Sequence, residues 1–150
     1  MAVTICTNPF NPYEVLQAYE ASLLQSLGSI GATSLFIGTM RDFNEGDHVK
    51  GMTLEYYPGM TEKQLDKILI DAQNQWALID SLVVHRVGDI FPKEPIVLVA
   101  VWSSHRGDAF DACRFIMEAL KSKAPFWKKE LLVNQQERWV AKNSDGYQSS

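Results

Sequence analysis

The amino-acid sequence predicts a single α+β domain, in which a mixed, largely antiparallel sheet packs with about three helices. Three observations carry this expectation. Stretches of helical and strand periodicity follow one another as α-β-β-α-β-β-α-β, which is not the strict alternation of a parallel, doubly wound sheet. A chain of 150 residues is long enough for one core and short for two. No internal repeat, low-complexity tract or linker divides it, so residues 1–150 read as one unit with a polar, flexible tail over about 141–150.

Asn11-Pro12-Tyr13-Glu14 marks the first helix start, with Asn as cap, Pro at the first helical position and Glu completing a capping box. Leu16, Tyr19, Leu23 and Leu27 give this helix an apolar side, and Gly28 is its expected stop. Ala32 to Met40 is an apolar run rich in β-formers and reads as a buried strand. Arg41 to His48 is polar, contains Gly46-Asp47, and reads as a loop. From Val49 to Tyr57, Met52, Leu54 and Tyr56 alternate with Thr53, Glu55 and Tyr57, as in a half-buried strand, before Pro58-Gly59 turns the chain. Thr61-Glu62-Lys63-Gln64 reads as a second capping box ahead of Leu65, Ile68, Leu69, Ala72 and Trp76 at helical spacing. Ser81 to Val87 and Pro95 to Ser103 are two more strands. The third helix runs from about Gly107 to Ala124, where Pro125 stops it. Short strands around Phe126-Trp127 and Arg138-Trp139-Val140 complete the domain.

A net charge of −4 argues against a general nucleic-acid binder but leaves room for a local cationic pocket. Cys6 and Cys113 are far apart and Cys113 falls on an apolar stripe, so a disulfide framework is not expected and a reduced, cytoplasmic setting is. The N-terminus lacks the basic segment and apolar core of a signal peptide, and no apolar run is long enough to span a bilayer.

The segment from Leu120 to Glu130 sets four lysines and one glutamate around Pro125, Phe126 and Trp127. At 100° per residue, Lys121 falls about 20° from Phe110 and about 40° from Met117 around the third helix. A lysine at the edge of an apolar stripe either lays its stem on the core and snorkels to water, or aims a cation into a pocket. Ser103 to Asp108 lies where a strand meets that helix's start, a place where free backbone N–H groups favour anions. His105 and Arg106 add donors there; the plainer alternative is a cap and an Arg salt bridge. Arg41, at the end of the Phe36-Ile37-Gly38-Thr39-Met40 strand, invites the same two readings. His85 and Arg86 lie mid-strand on opposite faces and read as structural, and His48 as solvated.

Other chemistries lack their patterns. Three scattered His and two distant Cys show no metal-ligand spacing, so no metal site is expected. Gly28-Ser29-Ile30-Gly31 matches neither a Walker loop nor a dinucleotide fingerprint, and there is no Gly-x-Ser-x-Gly elbow. Neither cysteine lies in an electropositive loop, which argues against a thiol nucleophile. What remains is a set of cations suited to an anionic substrate and a reaction in which negative charge develops.

Taken in order, several segments resemble one family. Gly31-Ala32 through Arg41 and Leu54 through Met60 look like its first half. His85-Arg86-Val87-Gly88, Ser104-His105-Arg106, Ala109-Phe110 and Leu120 through Glu130 look like its second. The family is the catalytic large subunit of molybdopterin synthase, and the resemblance covers roughly residues 8 to 142. It implies an α+β sulfurtransferase that converts cyclic pyranopterin monophosphate to molybdopterin in molybdenum cofactor biosynthesis. The sulfur would arrive as a thiocarboxylate on the C-terminus of a ubiquitin-like small subunit. It further implies a homodimer within a heterotetramer, no cofactor bound for catalysis, and neither nucleic acid nor membrane as partner.

Carried over by position, Lys121 and Lys128 match the essential lysines, and Arg41, His105 and Arg106 match anion-binding residues. Lys129 and Glu130 fall in the substrate-contacting segment, together with Thr39 and Met40 before Arg41. Thr39-Met40 departs from the more common basic or small pair, and Lys93 stands where many members have Gly. The resemblance also makes the strands around Val83, Val99 and Val101 candidates to support the dimer interface. Arg41 would then serve its own site or the neighbouring subunit's. A non-catalytic docking module for a ubiquitin-like tail or a phosphorylated small molecule is the alternative.

Overall fold

A four-stranded sheet in the order β1-β5-β7-β2 forms the centre of the protein, built from β1 (Ala2–Cys6), β5 (Leu78–Arg86), β7 (Pro95–Ser103) and β2 (Ala32–Thr39). β5, β7 and β2 pair antiparallel, and β1 adds to β5 in parallel. This computed structural model describes residues 1–44 and 46–140, so the tail expected over 141–150 lies outside the described residues.

Both faces of the central sheet are covered, which is why β7 is apolar without alternation. On one face Val83, Val99 and Val101 pack under α2 (Met60–Gln75) and α3 (Arg106–Lys123). They are at most 1% exposed. That corrects their candidacy for an interface: the two helices already occupy the surface a partner would need. On the other face Leu82, Leu98, Ala100 and Trp102 meet Leu16 and Tyr19 of α1 (Pro12–Ala21).

A second sheet stands beside the first, where one sheet was expected. It orders β3 (Phe43–Asn44), β4 (Asp47–Tyr56), β8 (Phe126–Leu132) and β9 (Glu137–Val140), with β6 (Gly88–Ile90) also paired to β4. The pairing of β2 with β7 shifts register between Gly38 and Thr39, and the chain leaves the first sheet there. Met52, Leu54, Ile90 and Leu132 then bury a separate small core beneath the second sheet.

Local departures have local causes. α1 ends at Ala21 rather than Gly28, and Leu24–Ser29 winds as a 3-10 helix. Ser22 sets the break: its N–H and its Oγ both donate to the Tyr19 carbonyl, at 2.9 and 2.6 Å. The stretch expected as a loop, Arg41 to His48, holds a hairpin pairing Phe43 with His48 and Asn44 with Asp47. α2 is capped by Gly59, at φ 86°, whose N–H donates to Glu62 Oε2 at 2.9 Å. Thr61 is therefore inside the helix and fully buried; its Oγ1 accepts from the Tyr57 N–H at 3.0 Å and donates to the Pro125 carbonyl at 3.2 Å. β2, β4, β5, β7, β9 and α3 lie within a few residues of their expected positions, β8 is seven residues long, and β1 and β6 are strands where none was expected. Among the described residues no helix is long and apolar enough to cross a membrane.

Candidate active site

The open edge of β2, the flank of α3 and the inner face of β8 enclose a cavity of about 850 Å³. β2 contributes Ser34 to Thr39, followed by Met40 and Arg41, and the hairpin adds Phe43 and Asn44. α3 contributes Phe110, Cys113, Arg114, Met117, Glu118 and Lys121, and β8 contributes Lys128 and Glu130. The helical stripe that placed Lys121 beside Phe110 and Met117 is the stripe that faces this space.

Arg41, Lys121 and Lys128 converge here from three elements. Pro125 ends α3 two residues after Lys123, and the chain returns as β8, which brings Lys128 opposite Lys121. Lys121 is open to the cavity, but the cavity is cut into protein, so water is partly replaced around its ammonium. Burial holds its pKa below the ordinary lysine value, the charges of Lys128 and Arg41 lower it further, and Glu118 opposes them. Such an ammonium gives up its proton more readily than a solvated lysine.

Thr39 and the buried Met40 also line the cavity. Glu130 reaches it too, but its carboxylate is engaged: Asn44 Nδ2 donates to both oxygens at 3.1 and 3.0 Å, and Arg138 Nε donates to Oε1 at 3.0 Å. Lys129 does not reach it. Strand alternation turns it to the opposite face of β8, where its Nζ pairs with Glu137 at 2.8 Å and lies 5.5 Å from the Trp139 ring centroid.

His105 and Arg106 are not brought to this cavity within the chain. They sit exposed at the start of α3, 15 residues before Lys121, or about 22 Å along the helix. His105 occupies the cap position without a side-chain capping bond, and among the described residues Arg106 forms no ion pair. The salt-bridge alternative is thus not what the structure holds.

Several cavity residues were not singled out from the sequence as site residues: Phe36, Phe110, Arg114, Met117 and Glu118. The signal was available for those on α3, because positions 110, 114, 117, 118 and 121 share one side of the helix. Cys113 lies at the cavity base, and burial raises its thiol pKa against the lowering effect of a hydrogen bond with Ser34. It is poorly suited to act as a thiolate.

The sequence matches the MoaE protein family over residues 5–123. A molybdopterin synthase catalytic subunit from Ralstonia nicotianae is 57% identical over 125 residues, covering 83% of this chain and 70% of that protein. The MoaE molybdopterin biosynthesis protein from Burkholderia ambifaria superposes with a TM-score of 0.77 at 47% identity, covering 97% of this chain and 94% of that one. The crystal structure of molybdopterin synthase from Staphylococcus aureus gives a TM-score of 0.81 at 29% identity, covering 92% and 96% of the two chains. This chain belongs to the MoaE protein family.

Proposed function

We propose that the protein is the catalytic subunit of a molybdopterin synthase, transferring sulfur to cyclic pyranopterin monophosphate to form molybdopterin. The observation that carries this reading is the meeting of Lys121, Lys128 and Arg41 in one cavity of a chain whose net charge is −4. Like charges are costly to gather in a partly desolvated space, and an anionic ligand offsets that cost. A phosphate and a thiocarboxylate are both anionic, and the cavity has room for one beside the other. A docking module would need a surface, not three cations facing one another.

In this reading Arg41 and Lys128 hold the substrate's charge as its cyclic phosphate opens. Lys121, with its loosely held proton, supplies that proton where negative charge develops. Thr39, Met40 and Glu130 shape the substrate's surroundings, and Lys129 takes no direct part. Sulfur is delivered on the C-terminal tail of a ubiquitin-like small subunit in the cytoplasm, with no further cofactor bound.

The same reading includes a dimer. His105 and Arg106 are about 22 Å along α3 from Lys121, so as phosphate or pterin ligands they serve the cavity of a second copy. Arg41 shares the cavity of its own chain's lysines and acts in cis. Incubating the protein with a thiocarboxylated small subunit and cyclic pyranopterin monophosphate tests the central claim. Molybdopterin is the expected product, and its absence with a demonstrably loaded small subunit overturns the reading.

A further inference from the structure

We infer that Arg138 is a positioning residue for the lysine cavity: by holding the Glu130 carboxylate, it keeps that carboxylate from competing with an anionic ligand for the neighbouring Lys128. The inference rests on the sulfurtransferase reading for what that ligand is, but its geometry stands on the fold.

Glu130 is 4% exposed, so its charge needs partners. Glu130 and Arg138 are directly opposite across the β8–β9 ladder. Among the described residues, the Arg138 guanidinium donates from Nε to Glu130 Oε1 at 3.0 Å, from Nη1 to Asp47 Oδ2 at 2.7 Å and from Nη2 to the Asn44 carbonyl at 2.9 Å. Asn44 closes the ring by donating to both Glu130 oxygens at 3.1 and 3.0 Å. One side chain on β9 therefore ties the β3–β4 hairpin, which supplies Phe43 and Asn44 to the cavity, to the strand bearing Lys128.

Glu130 and Lys128 are nearest neighbours on one face of β8, their Cα atoms about 7 Å apart. Both line the cavity. Released from Arg138 and Asn44, the carboxylate is within reach of the Lys128 ammonium, and an internal ion pair there competes with any incoming phosphate or thiocarboxylate. The fork geometry of arginine suits the clamping task, since its five N–H donors lie in a rigid plane, whereas the three donors of a lysine radiate from one nitrogen. Among the described residues, the other charged or titratable groups facing the two lysines are Arg41 at the end of β2, Cys113, Arg114 and Glu118 on α3, and His85 on β5. The Glu130 carboxylate itself is held by Asn44 and Arg138.

The test reads the lysines directly. Wild type, Arg138→Gln, Arg138→Lys and Arg138→Gln/Glu130→Gln are reductively methylated with ¹³C-formaldehyde. The Lys121 and Lys128 signals, assigned from single Lys→Arg variants, are then titrated by NMR. In Arg138→Gln both lysines titrate at higher pH than in wild type, by about half a unit or more, because an uncompensated carboxylate favours the ammonium form. The double variant brings both back toward wild type, and Arg138→Lys lies between. In turnover, KM for the pyranopterin substrate rises about tenfold in Arg138→Gln while kcat changes less.

Unmoved lysine titrations, or a double variant no closer to wild type than Arg138→Gln, overturn the inference and leave Arg138 a structural tie. If Arg138→Gln does not fold, Asn44→Ala releases Glu130 from two of its three bonds, and the same upward shift at smaller size is required. Failure of the sulfurtransferase reading looks different: the wild type makes no product while the lysine titrations still shift.

Discussion

The imidazole of His85 lies flat against the ring of Phe126, with centroids 4.1 Å apart and planes inclined by 16°. The contact joins the central sheet to the first residue of β8, a few residues from each cavity lysine. Nδ1 is 2.9 Å from the Arg86 carbonyl, an acceptor, so Nδ1 carries the ring's proton. Burial pushes the His85 pKa down to about 4 and the Lys121 charge adds to the effect, against the hydrogen bond to Arg86.

That depression makes a stability prediction. Unfolded histidine titrates near 6.5, so between about pH 6.5 and 4 the unfolded chain takes a proton that the folded one refuses. Stability is unaffected above that window and falls through it, by about 3 kcal/mol in total. His85→Phe keeps the stack and removes this dependence. Urea unfolding at pH 7, 5.5 and 4.5 checks it: the acid-side slope becomes shallower in the variant, and an equally steep slope assigns the effect to other groups.

Lys121→Ala lowers turnover by about 10² to 10³-fold, the range for losing one group that meets developing charge. Its head is open to the cavity, so the melting temperature stays within a few degrees of wild type. If the protonated ammonium is the working form, wild-type activity declines as pH rises through a pKa lying below the usual lysine range. In Lys121→Arg, any residual activity shows that alkaline limb displaced upward. A limb at the same pH in both proteins takes the proton away from Lys121.

Mixing experiments separate the cis and trans residues. Arg41→Ala combined with Lys121→Ala regains no activity beyond either parent, because both residues line one chain's cavity and a mixed dimer has one doubly damaged site only when both fall in the same chain, leaving each site with one lesion. Arg106→Ala combined with Lys121→Ala does regain activity, since pairing the two lesions in one cavity leaves the other intact. Subunit exchange is verified by native mass spectrometry, and the reverse pattern of complementation would refute the assignment.

Gly31→Ala is expected to destabilise the fold by about 1–3 kcal/mol, as overpacking does. A Cβ there would sit 2.1 Å from the Ser104 carbonyl oxygen, and the obstacle is backbone rather than a movable side-chain end. The Gly31 N–H also donates to the Ser103 carbonyl at 3.0 Å, fixing that approach. Thermal denaturation gives the size, and an unchanged melting temperature would mean that the β7–α3 corner shifts freely.

Much of this was legible in the residues. Pro95 to Ser103 needed only its uninterrupted apolar run, and α3 only its periodicity and Pro125, because those signals survive any choice of neighbour. β1 was not anticipated: five residues that become a strand only through parallel pairing with β5, some eighty positions away, carry little local signal. The short β3–β4 hairpin is likewise set by pairing across a polar turn. At the site, the place of Lys121 beside Phe110 and Met117 was readable from helical spacing, while Lys128 was picked out by the resemblance of its segment. Lys129 was grouped with them through the resemblance of its segment to a substrate-contacting one; over the seven residues of β8, alternation separates it from Lys128 and Glu130. That His105 and Arg106 lie far from the lysines follows from helix length alone.

The hydroxyl of Thr61 holds the Pro125 carbonyl, the corner where α3 gives way to β8. α2 supplies no side chain to the cavity, yet it sets the angle between the helix carrying one lysine and the strand carrying the other. Spacing between the two cations is thus governed from outside the pocket. A change on α2 that leaves every cavity residue in place, such as Thr61→Val, acts on the reaction as a misalignment, and the sequence of the pocket alone would give no warning of it.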